Sequence, residues 1–169
     1  MALSKIWVLA EAVGGKVSST TLELITKARS LADTVEAVYG GGDADSIAAS
    51  LGAHGASKIL ATGDLGGALP GVQVGAAIAA QVQAGNGPDA ILAATSYDGR
   101  DAIGRLSAKL DKTVLTNIVD LSLDGDALHA CARPRLKGHH GRQRWKRGDG
   151  EPRCGRSDQI RAGQIGHLQ

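Results

Sequence analysis

The stretch AATSYDGRDAIGRLSAKL, residues 93–110, decides the fold that we predict for this chain. It joins the end of an apolar run, residues 90–94, to a segment in which apolar residues recur at helical spacing. Small and polar residues lie at the junction, as is usual where a chain leaves a strand and enters a helix. The stretch therefore predicts a buried strand, a tight turn and an amphipathic helix.

The same alternation of strand and helix patterns runs through the first 120 residues or so. Besides the strand over 89–94, we predict strands over 6–10, 35–39, 58–61 and 113–119. A capping box of Thr20 and Glu23 predicts the start of the first helix, and Gly52 predicts the end of the second. Strands alternating with helices favour a three-layer αβα fold with a mostly parallel sheet. We expect the nucleotide-binding-like strand order 3-2-1-4-5.

The composition agrees with such a sheet. The chain has 169 residues, no Phe and only 2% aromatic residues, so its core must consist of small aliphatic side chains. Such cores suit strands that are covered by helices on both faces. The longest apolar runs are too short to cross a membrane, and residues 6–10 already form the first predicted strand, which leaves no space for a signal peptide. We therefore expect a cytoplasmic protein without membrane insertion.

The distribution of charge divides the chain at residue 132. Residues 1–132 hold nine Lys/Arg and fourteen Asp/Glu, whereas residues 133–169 hold ten Lys/Arg and three Asp/Glu. We assign 1–132 to the α/β domain and 133–169 to a basic, Arg/Gly-rich, irregular tail. The tail could bind nucleic acid, or it could be the product of a shifted reading frame in a GC-rich gene. The second interpretation, which we favour, requires that another frame of the DNA encodes a continuing α/β pattern.

The glycine-rich loops do not match the known phosphate-binding patterns. The loop EAVGGKVSS resembles a Walker A loop only at Gly15 and Lys16, and GGGDADS lacks the G-x-G-x-x-G spacing. Both are interpreted as tight turns. We predict no catalytic residue, because no histidine has a nucleophile or carboxylate at a recognisable spacing. We also predict no metal site, because the spacing of Cys131, His139, His140 and Cys154 matches no zinc finger.

The turn inside the opening stretch is the best candidate for a contact with a ligand or a subunit. In the predicted strand order it faces the loop after the first strand, across the crevice where such sheets bind ligands. The turn could also simply cap its helix, with the arginine in a salt bridge. The candidate residues for this crevice or interface are Thr95, Ser96, Gly99, Arg100 and Asp101.

Four segments together resemble the amino-terminal domain of the electron transfer flavoprotein alpha subunit. They are WVLAEAVGGKVSSTTLELITKARSLA (7–32), VEAVYGGG (35–42), GASKIL (55–60) and ATSYDGRDAIGRLSAKLD (94–111). The resemblance runs from about residue 4 to Pro134. It implies an α/β domain that pairs with a beta subunit and acts as an electron carrier subunit rather than as an enzyme.

The resemblance also implies a cofactor and a role. The family carries electrons on FAD from acyl-CoA dehydrogenases, as in fatty acid β-oxidation, to a quinone-linked oxidoreductase. The family holds FAD mainly in a carboxy-terminal domain that has no counterpart here, so we expect no FAD on this chain alone. The alternatives that stay open are a stand-alone adenine-nucleotide-binding module and a nucleic-acid binder acting through the tail; we do not expect a nucleic-acid partner.

Overall fold

The computed structural model describes residues 2–124, 127–132, 157–160 and 164–168. The first part of the chain forms the strands β1 (Leu3–Ala10), β2 (Ala12–Val13), β3 (Lys16–Val17), β4 (Ala32–Tyr39) and β5 (Lys58–Ala61). The later strands are β6 (Ala90–Ala94), β7 (Val114–Asp124), β8 (Ala127–Ala132), β9 (Ser157–Ile160) and β10 (Gln164–Leu168). The helices are α1 (Ser19–Arg29), α2 (Ala44–His54), α3 (Pro70–Gln83) and α4 (Tyr97–Leu110).

The predicted three-layer α/β fold is confirmed. The main sheet has the order β5-β4-β1-β6-β10-β7-β8-β9, in which β5 through β7 pair in parallel. Alternate side chains of β1 enter two separate cores. Ile6 and Val8 pack with the core residues of α1 and α2, whereas Trp7 and Leu9 pack with those of α3 and α4. The small aliphatic residues thus bury both faces of the sheet.

The predicted strand order holds for the first four strands and needs one correction after them. The predicted fourth and fifth strands, β6 and β7, are not neighbours, because β10 pairs with both of them in parallel. The pairing joins Ile165 to Ile91 on one side and to Val114 on the other. Sheet hydrogen bonds come from the backbone, so a short segment without alternating apolar residues can still occupy this position.

Residues 133–169 also contain more regular structure than we expected of an irregular tail. Besides β10, the strand β9 pairs antiparallel with β8, with Ser157 opposite Cys131. The rest of that tail, including the basic stretch 133–156, lies outside the described residues, so its predicted irregularity stays a prediction.

The predicted ends of two helices are wrong. Helix α1 is capped by Ser18, whose hydroxyl accepts a hydrogen bond from the backbone N–H of Thr21 at 3.2 Å. The expected capping box at Thr20 does not form, because Thr20 already lies inside the helix. Helix α2 continues beyond Gly52 and ends at Gly55, which has the left-handed φ of 113° that favours glycine at this position.

Candidate functional site

The site lies at the carboxyl ends of β1 and β6, which are adjacent parallel strands. The chain leaves β1 toward α1 on one face of the sheet and leaves β6 toward α4 on the other. Such a point of divergence normally opens a crevice for a ligand. The two loops that were predicted to face each other here, after residues 10 and 94, do meet in the structure.

A hydrogen bond fastens the two loops together. The carboxylate of Glu11 accepts a hydrogen bond from the hydroxyl of Ser96. The same hydroxyl oxygen accepts a hydrogen bond from the backbone N–H of Gly99 at 2.9 Å, and so caps α4. We call the Glu11–Ser96 pair the clasp. It joins β1 to the first turn of α4 across the position where a ligand would enter.

Gly99 is required at the clasp because the backbone comes too close for a side chain. A Cβ atom at this position would lie 2.3 Å from the carbonyl oxygen of Ala94 and 3.2 Å from Oε1 of Glu11. The first distance is shorter than any carbon–oxygen contact allows and involves backbone that cannot move away easily, whereas the second is tight and would require the Glu11 side chain to shift by a few tenths of an ångström. The predicted site residue Gly99 therefore lets α4 start directly against the clasp.

The loop that carries Glu11 is held by its own polar network. The Glu11 N–H donates to Oγ1 of Thr21 at 3.0 Å, and the Ser18 N–H donates to the Glu11 carbonyl at 2.9 Å. The Ser18 hydroxyl donates to Thr21 Oγ1 at 2.9 Å, and the Thr21 side chain is fully buried. Buried polar groups that are satisfied in this way stiffen the structure around them. The clasp is therefore fixed on the α1 side as well.

The residues of the crevice do not fit the pyrophosphate of FAD or another dinucleotide. Such a group needs free backbone N–H donors and positive charge at the first turn of the helix. Here the Gly99 N–H is already bonded to Ser96, and the carboxylate of Glu11 occupies the space beside it. Asp98, in the first turn of α4, adds a second negative charge.

The predicted residues Asp101 and Arg100 point away from the clasp. Both carboxylate oxygens of Asp101 accept hydrogen bonds from Nε of Arg105, at 2.9 and 3.0 Å. The same carboxylate lies against Gly71 of α3, where a Cβ would be 2.0 Å from Oδ2. Arg100 and Thr95 instead line a separate cavity beside α4. Of the five predicted residues, Ser96 thus belongs to the clasp and Gly99 packs directly against it, whereas Thr95, Arg100 and Asp101 make other contacts.

Four large apolar side chains are exposed in the segments that follow strands at the same edge of the sheet as the clasp. Tyr97, at the start of α4, is 92% exposed, and Val13, in the hairpin after β1, is 86% exposed. Leu69 and Val72, at the start of α3, are 71% and 55% exposed. These four residues, which we call the apolar rim, all follow the carboxyl ends of parallel strands. Large apolar groups in such positions are typical of surfaces that contact another molecule.

The glycine-rich loop EAVGGKVSS contains the hairpin that carries Val13. Its strands β2 and β3 are joined by Gly14 and Gly15, whose φ values of 57° and 74° are left-handed. Two such residues in succession form the tight turn of a two-residue hairpin, and glycine adopts them without strain. The loop EAVGGKVSS is therefore a turn, as predicted, and not a phosphate-binding loop.

A second polar pair lies at the same edge, after β4. The hydroxyl of Tyr39 donates a hydrogen bond to Oδ1 of Asp43 at 2.7 Å. This hydrogen bond, then burial, and then the charge of Asp43 raise the pKa of the Tyr39 phenol to about 12. The hydrogen bond from Tyr39 also lowers the pKa of Asp43. The pair braces the glycine-rich turn before α2.

Within the described residues, no group of three or more His, Cys, Asp or Glu side chains is placed to hold a metal ion. His139, His140 and Cys154, which were weighed as zinc ligands, lie outside those residues. His54 lies on the surface, with Nδ1 at 2.8 Å from the Ser50 carbonyl oxygen. Within the same part of the chain, every helix is too short or too polar to cross a membrane.

Comparison with known proteins identifies the family of the chain. The model of the electron transfer flavoprotein domain matches residues 6–139. The chain belongs to the electron transfer flavoprotein family. The match contains β1 from residue 6 onward, the clasp and the helix α4, so it includes the site described above.

Curated relatives place this electron transfer flavoprotein chain with the alpha subunits. It is 32% identical over 133 residues to the electron transfer flavoprotein subunit alpha of two strains of Mycobacterium tuberculosis. That alignment covers 76% of this chain and 41% of the relative. The subunit alpha of Syntrophomonas wolfei is 28% identical over 119 residues, which are 69% of this chain and 37% of that protein. The chain thus spans about two-fifths of the length of these relatives.

Sequence reasoning missed two parts of this electron transfer flavoprotein site. It did not single out Glu11, whose carboxylate makes the clasp, because a single acidic residue after a strand matches no known sequence motif. It also passed over Val13, Leu69 and Tyr97, because single apolar residues in loops are common. The signal that could have found Glu11 is its position directly after the first buried strand, opposite Ser96.

Proposed function

We propose that this chain is the platform of an electron transfer flavoprotein heterodimer, on which a beta subunit docks. The observation that carries the proposal is the combination of a closed crevice with an exposed apolar rim. The clasp fills the place where a ligand would bind, and the rim residues at the same edge of the sheet present apolar side chains to solvent. A surface of this kind suits a protein partner better than a small molecule.

The partner would cover the carboxyl edge of the sheet. Tyr97 and Leu69 are the largest exposed residues of the rim and start two helices that pack against each other through Gly71 and Gly75. Aromatic side chains of this kind contribute much of the binding energy at protein interfaces when a partner buries them. The clasp ties the start of α4 to β1, and the close approaches at Gly71 and Gly75 join α3 to α4, so we expect docking to need little rearrangement of these helices.

FAD and the electron carrier role enter the proposal through the family. The complete heterodimer would carry electrons on FAD from acyl-CoA-type dehydrogenases to a quinone-linked acceptor, and this chain would contribute no catalytic group. The residues of the crevice do not fit FAD, which agrees with a scaffold role. The same misfit counts against a stand-alone adenine-nucleotide module, because the Glu11 carboxylate repels phosphate at the switch point. The cytoplasmic location stays a prediction of the sequence.

Co-purification with a beta subunit tests the proposal. The full chain and the electron transfer flavoprotein beta subunit of the same genome are expressed together and separated by size-exclusion chromatography. We expect the wild-type chain to elute with the beta subunit. The double variant Leu69→Ser/Tyr97→Ser should weaken the complex at least about tenfold, as expected for loss of two buried anchors.

The matched control is Ala84→Ser/Ala108→Ser. It also places serine at exposed positions of α3 and α4, but at or near the opposite ends of these helices. The control should bind the beta subunit as the wild type does. Equal binding by the rim variant and the wild type, with both folded by circular dichroism, would contradict docking on this edge.

A further inference from the structure

A cavity of about 500 Å³ lies against α4 and β7. Its size is within the range of pockets that bind small molecules. The described residues that line it come from the start and middle of α4 and from β7: Thr95, Arg100, Ile103, Gly104, Ser107, Val114, Thr116 and Asn117. No residue of the clasp or of the apolar rim lines this cavity.

Arg100 supplies a positive charge that no acid in the described part of the chain neutralises. Its side chain is exposed, and it forms no ion pair with any described residue. The nearest acid in sequence, Asp101, uses both carboxylate oxygens on Arg105. The salt bridge that was considered for Arg100 in the sequence is therefore not formed, since Asp101 pairs with Arg105 instead. An unneutralised guanidinium at the edge of a cavity is a ready partner for a carboxylate or a phosphate.

The remaining lining provides donors beside Arg100 and an apolar floor. Thr95 and Thr116 contribute hydroxyl groups, which can donate to an anion. The Ser107 hydroxyl donates to the carbonyl of Lys112 at 2.6 Å, so it offers the cavity only an acceptor. Of the apolar lining residues, Val114 is half-buried and supplies accessible apolar surface, whereas Ile103 is 1% exposed and belongs mainly to the core. A cation, hydroxyl donors and an apolar floor together suit an anion with an apolar body.

Gly104 lines the cavity and leaves the space beside it unfilled. A Cβ atom at this position would meet no atom within 4 Å, and the residue lies in the middle of α4. Glycine in the middle of an exposed helix is less stable than alanine by about 1 kcal/mol. Nothing in the packing of α4 requires this cost, since the position is open. The space above Gly104 thus belongs to the cavity.

The geometry points to a binding site for a small organic anion in this cavity. The carboxylate or phosphate of the ligand pairs with Arg100 and accepts from the hydroxyl groups of Thr95 and Thr116. Its apolar body lies against Val114, beside Gly104. None of the four rim residues lines the cavity, so binding of an anion to the chain alone does not depend on whether a beta subunit docks.

Calorimetric titration of the full chain with phenyl phosphate, benzoate and benzyl alcohol tests the site. The three probes share a similar apolar body but carry a phosphate, a carboxylate or no charge. We expect saturable binding of at least one anion, and binding of the neutral alcohol that is at least about tenfold weaker, as for loss of a charge-assisted pair. Whichever anion binds more tightly identifies the anionic group that the site prefers.

Two variants and their controls locate the binding. Arg100→Gln should weaken binding of the anion about tenfold or more, whereas Lys109→Gln, an exposed cation on the same helix that is not among the lining residues, should not. Gly104→Leu should abolish binding by filling the cavity. Gly52→Leu, at an equally open helical glycine on α2, should leave it unchanged. The proposal is overturned if neither anion binds at millimolar concentration, or if Arg100→Gln and Gly104→Leu bind as the wild type does.

Discussion

Glu11 and Ser96, which are 85 positions apart in the chain, join the loops after two adjacent parallel strands through one hydrogen bond. The bond crosses the point where α1 and α4 leave toward opposite faces of the sheet. In many folds of this class that point is open and binds a ligand. In this electron transfer flavoprotein chain a side chain of the protein itself occupies that point and ties the two loops together.

Removal of the Ser96 hydroxyl should destabilise the domain. Ser96→Ala removes both the cap of α4 and the partner of Glu11, so we expect the free energy of unfolding to fall by about 1 to 2 kcal/mol. Urea unfolding followed by circular dichroism measures the change. Thr26→Ala is the control, because this exposed hydroxyl bonds only to the Leu22 carbonyl within α1, and its loss should change stability by less than about 0.5 kcal/mol. Equal effects of the two substitutions would contradict the role of the clasp.

Two glycines of α4 should respond to alanine in opposite directions. Gly99→Ala places a Cβ 2.3 Å from the Ala94 carbonyl oxygen, so it should lower the free energy of unfolding by about 1 to 3 kcal/mol, as overpacking does. Gly104→Ala meets no neighbouring atom and should raise it by up to about 1 kcal/mol through helix propensity. Thermal unfolding of both variants checks the prediction. Stabilisation by Gly99→Ala would show that the close approach at the clasp is not real.

The Tyr39–Asp43 pair predicts how stability changes at alkaline pH. The pKa of Tyr39 is raised to about 12, so its contribution to stability is complete below about pH 10 and is lost as the pH rises toward 12. Stability falls over this range because the phenol of the unfolded chain, with its ordinary pKa, loses its proton at a lower pH than the phenol of the folded chain. Asp43→Asn removes the charge and weakens the acceptor, so the pKa of Tyr39 should fall toward its ordinary value.

Ultraviolet titration of tyrosinate measures this pKa. The chain has two tyrosines, so the titration uses the Tyr97→Phe background, in which Tyr39 is the remaining one. Stability of the Asp43→Asn variant should also decline less between about pH 10 and 12 than that of the wild type. An unchanged titration curve after Asp43→Asn would refute the assignment of the shift to this pair.

The sequence alone predicted the parallel core well, because its patterns are local. The strand over 58–61 has the predicted bounds, and the strand over 89–94 differs by a single residue. Apolar runs of small residues between helical patterns leave few other folds. The ends of the helices were less predictable. Ser18 and Thr20 are both good caps, and only the contact of Thr21 with Glu11 favours the start at Ser18.

Contacts between distant segments could not be predicted. The position of β10 between β6 and β7 depends on backbone pairing, which leaves no pattern in a five-residue strand. The clasp likewise depends on how closely two loops approach. The predicted turn after β6 was the right place to search, but its partner Glu11 became visible only when the register of β1 and β6 was known.

The central claim is that the clasped edge of this electron transfer flavoprotein chain supports a partner and holds no flavin itself. Size-exclusion chromatography with absorbance spectra, applied to the full chain alone and after co-expression with a beta subunit, tests it most directly. We predict that the chain alone elutes without flavin absorbance and that the co-expressed chain elutes in an equimolar complex with the beta subunit. A chain that retains stoichiometric FAD on its own, or that elutes apart from the beta subunit, would contradict the claim.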